Sequence, residues 1–197
     1  MPTDQATTKQ SLTVAELLEE RARMRSLIEA AGVGLWDWDI ANSEIYFSPE
    51  WKRQLGYADH EIPNQFAQWE DRLHPADREP TLAAVREFRE GRRADYDVEF
   101  RLRHKDGSWR WISARGDITR DGTGQPIRMM GCHLDITARK ELAASLSFQR
   151  DLLERIASGS PLEESLKLLA RALELHSGDM LCSILLLSDD GLHLSHG

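Results

Sequence analysis

The chain has 197 residues, 41% of them hydrophobic and 29% charged, the composition of a soluble globular protein with room for one full domain plus flanking elements. Its formal net charge of −8 argues against non-specific nucleic-acid binding, which needs a basic surface, and it disfavours docking on anionic lipid. Two cysteines, Cys132 and Cys182, make no disulfide framework; the N-terminus lacks a signal-peptide core and no run nears the ~18 apolar residues of a membrane span, so a cytoplasmic setting is expected.

Residues 1–11 are polar and are expected to be disordered. Thr13 and Glu16 then form a T-x-x-E capping box, and apolar residues recur at helical spacing through Leu17, Met24 and Ile28, which predicts a helix ending before Gly32. Gly34–Ile40 (GLWDWDI) places Trp36, Trp38 and Ile40 on one face of a strand, and Glu44–Phe47 reads as a second strand. Ser48-Pro49 starts a short helix that runs to about Leu55. Asp59–His74 reads as a loop with short helical turns, and Pro75 opens a longer helix that Gly91 ends.

Three long strands follow. Tyr96, Val98, Phe100 and Leu102 alternate with charged residues, the pattern of a sheet with one face in a core and the other in water. Lys105–Ser108 carries the Asp-Gly pair of a hairpin turn, Trp109–Thr119 is the next strand, and Ile127–Ile136 is the last. On that last strand Met130, Cys132, Leu134 and Ile136 are assigned to one face, taken as the inner one, and His133 to the other. Beyond Thr137 the period becomes helical. Leu142, Leu146, Leu153 and Ile156 fit a heptad seam, a plausible signalling helix or short coiled coil. Gly159-Ser160 interrupts it; a second helix carries Leu162, Leu166, Leu169 and Leu173, and a strand over Met180–Leu187, an Asp189–Gly191 turn and a strand from Leu192 complete the chain.

The order of these elements, with GLWDWDI, EIYFSPEWKRQLGY, LHPADR, FRLRHKDGSWRWISARG and GCHLDITARKE in sequence, resembles the PAS domain, closest to its PAS_3 type with a terminal PAC motif. The resemblance covers residues 32–137 and implies an α+β fold, a five-stranded antiparallel sheet with helices on one side, flanked here by the helices over 12–31 and 138–157. Residues 158–197 resemble the start of a GAF domain. About 40 residues cannot bury a competent core alone, so that segment is expected to continue in a longer parent or to be propped by a partner.

The resemblance implies a sensor of bacterial signalling proteins, feeding an output domain for cyclic-di-GMP turnover or histidine phosphorylation that the chain itself lacks. The expected ligand pocket lies on the inner face, at Tyr96, Val98, Phe100, Leu102, Ile112, Ala114, Met130, Cys132 and Leu134, and the competing expectation is a close-packed core. No cofactor is predicted. Flavin photochemistry lacks its cysteine in the Gly56–Trp69 region, and haem, the alternative, would draw on His60, His74, His104 or His133. No metal site is predicted, and no P-loop, nucleophile elbow or H-E-x-x-H marks an enzyme. Trp109 and Trp111 fall opposite Ile112 and Ala114 and are expected on an exposed contact face. With Leu17, Met24, Ile28, Leu142 and Leu146 they would make a homodimer interface. Asp135-Ile136-Thr137 is expected to relay movement from sheet to helix, Thr137 capping the helix and Asp135 accepting from an arginine such as Arg139.

Overall fold

The structure, a computed structural model, describes residues 13–159, 161–177, 181–187 and 194–196. It divides into two compact units, Met1–Thr137 and Ala138–Gly197. The expectation for residues 1–11 lies outside the described residues.

The first unit opens with α1 (Val14–Ala31). Thr13 and Glu16 close the expected capping box, each accepting the other's backbone N–H, and Gly32 at φ 63° ends the helix in the left-handed conformation that glycine tolerates best. There follow β1 (Gly34–Asp39), β2 (Glu44–Phe47), α2 (Pro49–Gln54), a 3-10 turn (Asp59–Glu61), α3 (Phe66–Glu70) and α4 (Pro75–Arg89), then β3 (Tyr96–Arg103), β4 (Trp109–Arg120) and β5 (Pro126–Asp135). The five strands form one antiparallel sheet in the order β2-β1-β5-β4-β3. The last strand of the meander is therefore central, hydrogen-bonded to β1 on one side and β4 on the other.

Register fixes the two faces. Trp36 pairs with Phe47 and Gly131, Trp38 with Ile45 and Met129, Ala114 with His133, and Phe100 with Ile112. These residues share the inner face, where Trp51, Leu55, Ile62, Trp69, Leu73, Val85 and Phe88 from the covering segments complete the core. Gly116 and Gly131 sit opposite each other under the Trp36 indole. A Cβ on Gly116 would lie 2.7 Å from the Trp36 ring, so the bare backbone at this pair is what lets a large ring lie on the sheet.

One sequence expectation is overturned here. On β5 the buried residues are Met129 and His133, whereas Met130 and Leu134 are 42% and 43% exposed and Cys132 is half-buried on the same outer face. The apolar alternation Met130-Cys132-Leu134 pointed the wrong way because the inner positions hold a glycine and a histidine. Two inner-face contacts, the bare Gly131 under Trp36 and a neutral His133, replace the expected aliphatic side chains.

α5 starts at Thr137, the last residue of the first unit, and runs to Ala157, and in the second unit α6 spans Leu162–Ser177. A short hairpin pairs β6 (Leu185–Leu187) with β7 (Leu194–His196). The first of these strands is shorter than Met180–Leu187; Met180, the Asp189–Gly191 turn and Leu192 lie outside the described residues.

Candidate functional site

The inner face holds a small aromatic pocket of about 30 Å³, partly open to solvent, between β1, β2, β5 and the covering helices. Trp36 and Trp38 come from β1, Ile45 and Phe47 from β2, Phe66 and Trp69 from α3, Val85 from α4, Tyr96 from β3, and Met129 and His133 from β5. The rings brace one another: Trp38 and Phe66 are 4.8 Å apart between centroids, Phe66 and Trp69 5.1 Å in an edge-on pair, and Trp36 and Tyr96 6.1 Å.

Among the nominated pocket residues, Tyr96 is the one that reaches this wall. Phe100, Leu102, Ile112 and Ala114 are buried core beside it and Val98 packs against that core. Met130, Cys132 and Leu134 face away, as described above. The residues that wall the pocket and were not nominated are the β1 and α3 tryptophans, Ile45, Phe47, Phe66, Val85, Met129 and His133. The GLWDWDI pattern did put Trp36 and Trp38 on one face. The Gly116 and Gly131 positions were the further signal, since each marks a close approach by a bulky ring.

His133 is the polar centre of the wall. Its Nδ1 accepts a 2.8 Å hydrogen bond from the Trp51 indole Nε1–H, and burial pushes its pKa down to about 3, so the ring is neutral at physiological pH. Because Nδ1 is the acceptor, the proton of the neutral ring sits on Nε2. Trp36 and Trp69, 7% and 6% exposed, each carry an indole N–H with no acceptor among the described residues. Burial also pushes the Tyr96 phenol up.

The other histidines weighed as ligands have local duties. His74 caps α4, its Nδ1 accepting from the Ala76 N–H at 3.1 Å, and His104 accepts from the Asp106 N–H at the β3–β4 turn. Among the described residues no group of three or more His, Cys, Asp or Glu is placed to hold a metal ion.

The H-P-A-D-R segment does mechanical work beside the pocket. Arg101 grips Asp77 with a two-pronged ion pair at 2.8 Å, and the Arg101 backbone N–H donates to the same carboxylate at 2.9 Å. The Arg101 guanidinium holds the Asp77 carboxyl below its usual range. The start of α4 is thereby fixed to the middle of β3.

The D-I-T segment ties the sheet to α5. Trp111 on β4 donates its backbone N–H to Thr137 Oγ1 at 2.9 Å, and its carbonyl accepts the Ile136 N–H at 2.8 Å. The Asp135 carboxylate accepts the Thr137 N–H at 2.8 Å. Ile136 and Thr137 are both buried. His133 in the pocket wall lies two positions before Asp135, and Asp135 two positions before Thr137.

On the outer face Trp109 is 37% exposed, with its ring 4.5 Å from that of His74, and Arg101 lies over the Trp111 ring at 5.0 Å. Tyr46, Met130 and Leu134 extend an apolar strip across the same side. α1 buries none of its residues, and Leu17, Met24, Leu142 and Leu146 are all more than half exposed. Ile28 is half-buried. Among the described residues no helix is long and apolar enough to cross a membrane.

Comparison with known proteins agrees with this architecture. Residues 44–133 match the PAS_3 family, described as a PAS fold. The chain is 30% identical over 181 residues, 91% of its length, to the methyl sulfide methyltransferase-associated sensor of Methanosarcina acetivorans, and 31% identical over 142 residues, 72% of its length, to the sensor protein FixL of Bradyrhizobium diazoefficiens. It spans 18% and 27% of those two proteins. The crystal structure of a sensory box histidine kinase/response regulator from Burkholderia thailandensis superposes with a TM-score of 0.58 at 38% identity, covering 68% of this chain and 98% of that one. With the sheet order, the helical cover and the sequence identity in agreement, the chain belongs to the PAS family.

Proposed function

We propose that this chain is a non-catalytic sensory module of a cytoplasmic multidomain regulator, which takes a small molecule into the aromatic pocket and passes the change to an output domain through α5. One observation carries the proposal: β5 holds both His133, in the pocket wall, and Asp135, which fixes the first turn of α5. A ligand that displaces His133 therefore acts on the same strand that positions the helix, over a distance of two residues. Histidine phosphorylation is the favoured output, on the strength of the Burkholderia thailandensis relative, with cyclic-di-GMP turnover as the other. The segment after α5 is taken as the opening helix and hairpin of a GAF domain.

The module works as a homodimer in this proposal. The support is an α1 with no fully buried residue and an outer sheet face with exposed Tyr46, Trp109, Met130 and Leu134. The test of the relay is Asp135→Ala in the parent protein. Ligand affinity and folding should be kept while regulation of the output is lost. Normal regulation combined with altered ligand affinity would sink the relay.

A further inference from the structure

Two side chains of α2 hold the same residue of β5. Trp51 and Gln54 stand three positions apart, on one face of that helix. The Trp51 indole grips the His133 ring, and the Gln54 amide donates to the His133 carbonyl at 2.9 Å. The same amide nitrogen donates to the Gly32 carbonyl at 2.6 Å. Both acceptors are carbonyl oxygens, so the two bonds use both N–H groups of the amide and fix which way it faces. Gly32 is the residue that ends α1. One half-buried glutamine thus bonds the end of α1 to the central strand of the sheet.

The surroundings leave this bridge little slack. A Cβ on Gly34 would lie 2.6 Å from the Trp51 Cα, so α2 rests directly on the first residue of β1. Gly34 is itself the register partner of His133. The exit from α1, the Trp51–Gln54 turn of α2 and the His133 position of β5 therefore meet at one corner of the sheet. Two positions beyond His133, the Asp135 carboxylate accepts the Thr137 N–H and sets the first turn of α5. α1 has no fully buried residue to hold it from elsewhere. The helix that enters the domain and the helix that leaves it are thus anchored on one strand, two positions apart.

We propose that Gln54 is a coupling clamp between α1 and α5. A pull or turn of α1 moves the Gly32 carbonyl, and the amide passes that displacement to β5 and the start of α5. The path shares its last step, Asp135 to Thr137, with the relay above, and it needs no ligand in the pocket. Amide hydrogen exchange, read by NMR on the full chain, tests it. Ala30→Gly with Ala31→Gly weakens the last turn of α1 at two exposed positions. Exchange of the Thr137 N–H should then speed at least fivefold, the low end of coupling between linked sites. Adding Gln54→Met, which keeps the length of the side chain and removes both donors, should cut that response below twofold. Coupling is reciprocal, so Asp135→Ala should speed exchange of the Gly32 N–H by a similar factor, again only with Gln54 in place. A glutamine that merely stabilised the domain would change both basal rates and leave the response to the glycine pair intact. That result overturns the clamp, and so does a Thr137 rate that the glycine pair leaves unchanged. Should Gln54→Met fold poorly, Gln54→Asn, one methylene shorter, takes its place, and the glycine pair alone needs neither variant. Both negative results leave the relay from His133 standing, since neither arm touches the pocket. If Asp135→Ala leaves the Thr137 rate itself unchanged, the shared last step fails, and both paths fail with it.

Discussion

The indole nitrogen of Trp51, on the helix that covers the sheet, donates to Nδ1 of His133 at the centre of that sheet, at 2.8 Å. The two residues are 82 positions apart, and both are buried. The bond explains how an ionisable ring is tolerated in an aromatic core. Tryptophan offers a donor and no acceptor, so it stabilises the neutral imidazole and does nothing for the charged form.

A pH dependence follows from that pairing. The His133 pKa is pushed down to about 3 when folded, against 6.5 for the free side chain. Below pH 6.5 the unfolded chain takes up a proton that the folded chain refuses. Stability is therefore complete above about pH 6.5 and falls as the pH drops toward 3, by about 1.4 kcal/mol per pH unit. Urea unfolding at pH 7.5 and pH 5 should show about 2 kcal/mol more loss for the wild type than for His133→Asn, whose side-chain oxygen can still accept from Trp51. Parallel profiles for the two proteins would refute the buried neutral ring.

The Asp77–Arg101 pair gives a second prediction. Its three hydrogen bonds are partly buried and join the start of α4 to β3. Asp77→Asn keeps the shape and removes the charge, and should cost about 1.5–3 kcal/mol in denaturant unfolding at neutral pH. Arg101→Lys should cost a comparable amount despite keeping the charge, because lysine cannot present the two-pronged fork. A loss well under 1 kcal/mol for both would mark the pair as an ordinary surface bridge.

The Gly116–Gly131 seat under Trp36 is open to a double-mutant test. Gly116→Ala puts a methyl 2.7 Å from the indole and 3.1 Å from the Met130 carbonyl, and should cost about 1–3 kcal/mol through overpacking. In a Trp36→Leu background most of that cost should vanish, since the ring that clashes is gone. Additive losses would mean that the backbone contact, and not the indole, sets the requirement for glycine.

These cases show why the fold was legible in the sequence while much of the site was not. Strand and helix periods name the elements, and turn chemistry places their ends: the Thr13–Glu16 box, Ser48-Pro49 and Lys105–Ser108 all stand where the residues imply. The inner face of β3 was equally plain, because Tyr96, Phe100 and Leu102 alternate with charges. β5 defeated the same logic. Its inner positions were chosen for contacts with other elements: Gly131 for the ring of Trp36 and His133 for the nitrogen of Trp51. Alternation counts apolar side chains and cannot register a space kept empty for a neighbour or a polar group satisfied 82 positions away. The pocket wall was hidden for a related reason, since it joins β1, β2, β5 and α3, whose proximity is a property of the sheet order.

The dimer proposal makes its own prediction. Leu17 and Met24 lie exposed on α1, a helix with no fully buried residue. Replacing both with glutamate should leave the thermal unfolding of the domain within a degree or two. It should also weaken self-association at least tenfold in sedimentation equilibrium, as expected when charges replace interface anchors. Unchanged association would move the interface to the outer sheet face, where Trp109→Glu is the corresponding variant.

The junction of sheet and helix can be tested without knowing the ligand. Thr137 Oγ1 accepts the Trp111 backbone N–H, and Thr137 is buried. Thr137→Val preserves the shape and removes the hydroxyl acceptor of that N–H, at a cost of about 1–3 kcal/mol. Thr137→Ser keeps the hydroxyl and should recover most of it. The sharper readout is amide hydrogen exchange at Trp111. The bond predicts slow exchange in the wild type and in Thr137→Ser, and exchange at least tenfold faster in Thr137→Val. Amides in the middle of β3, bonded only within the sheet, should keep their rates. If the valine variant speeds exchange across the whole sheet, Thr137 is a general stabiliser. If it speeds exchange at Trp111 and along the first turns of α5 alone, the sheet and the helix are coupled at this hydroxyl, which is what a relay from His133 through Asp135 requires.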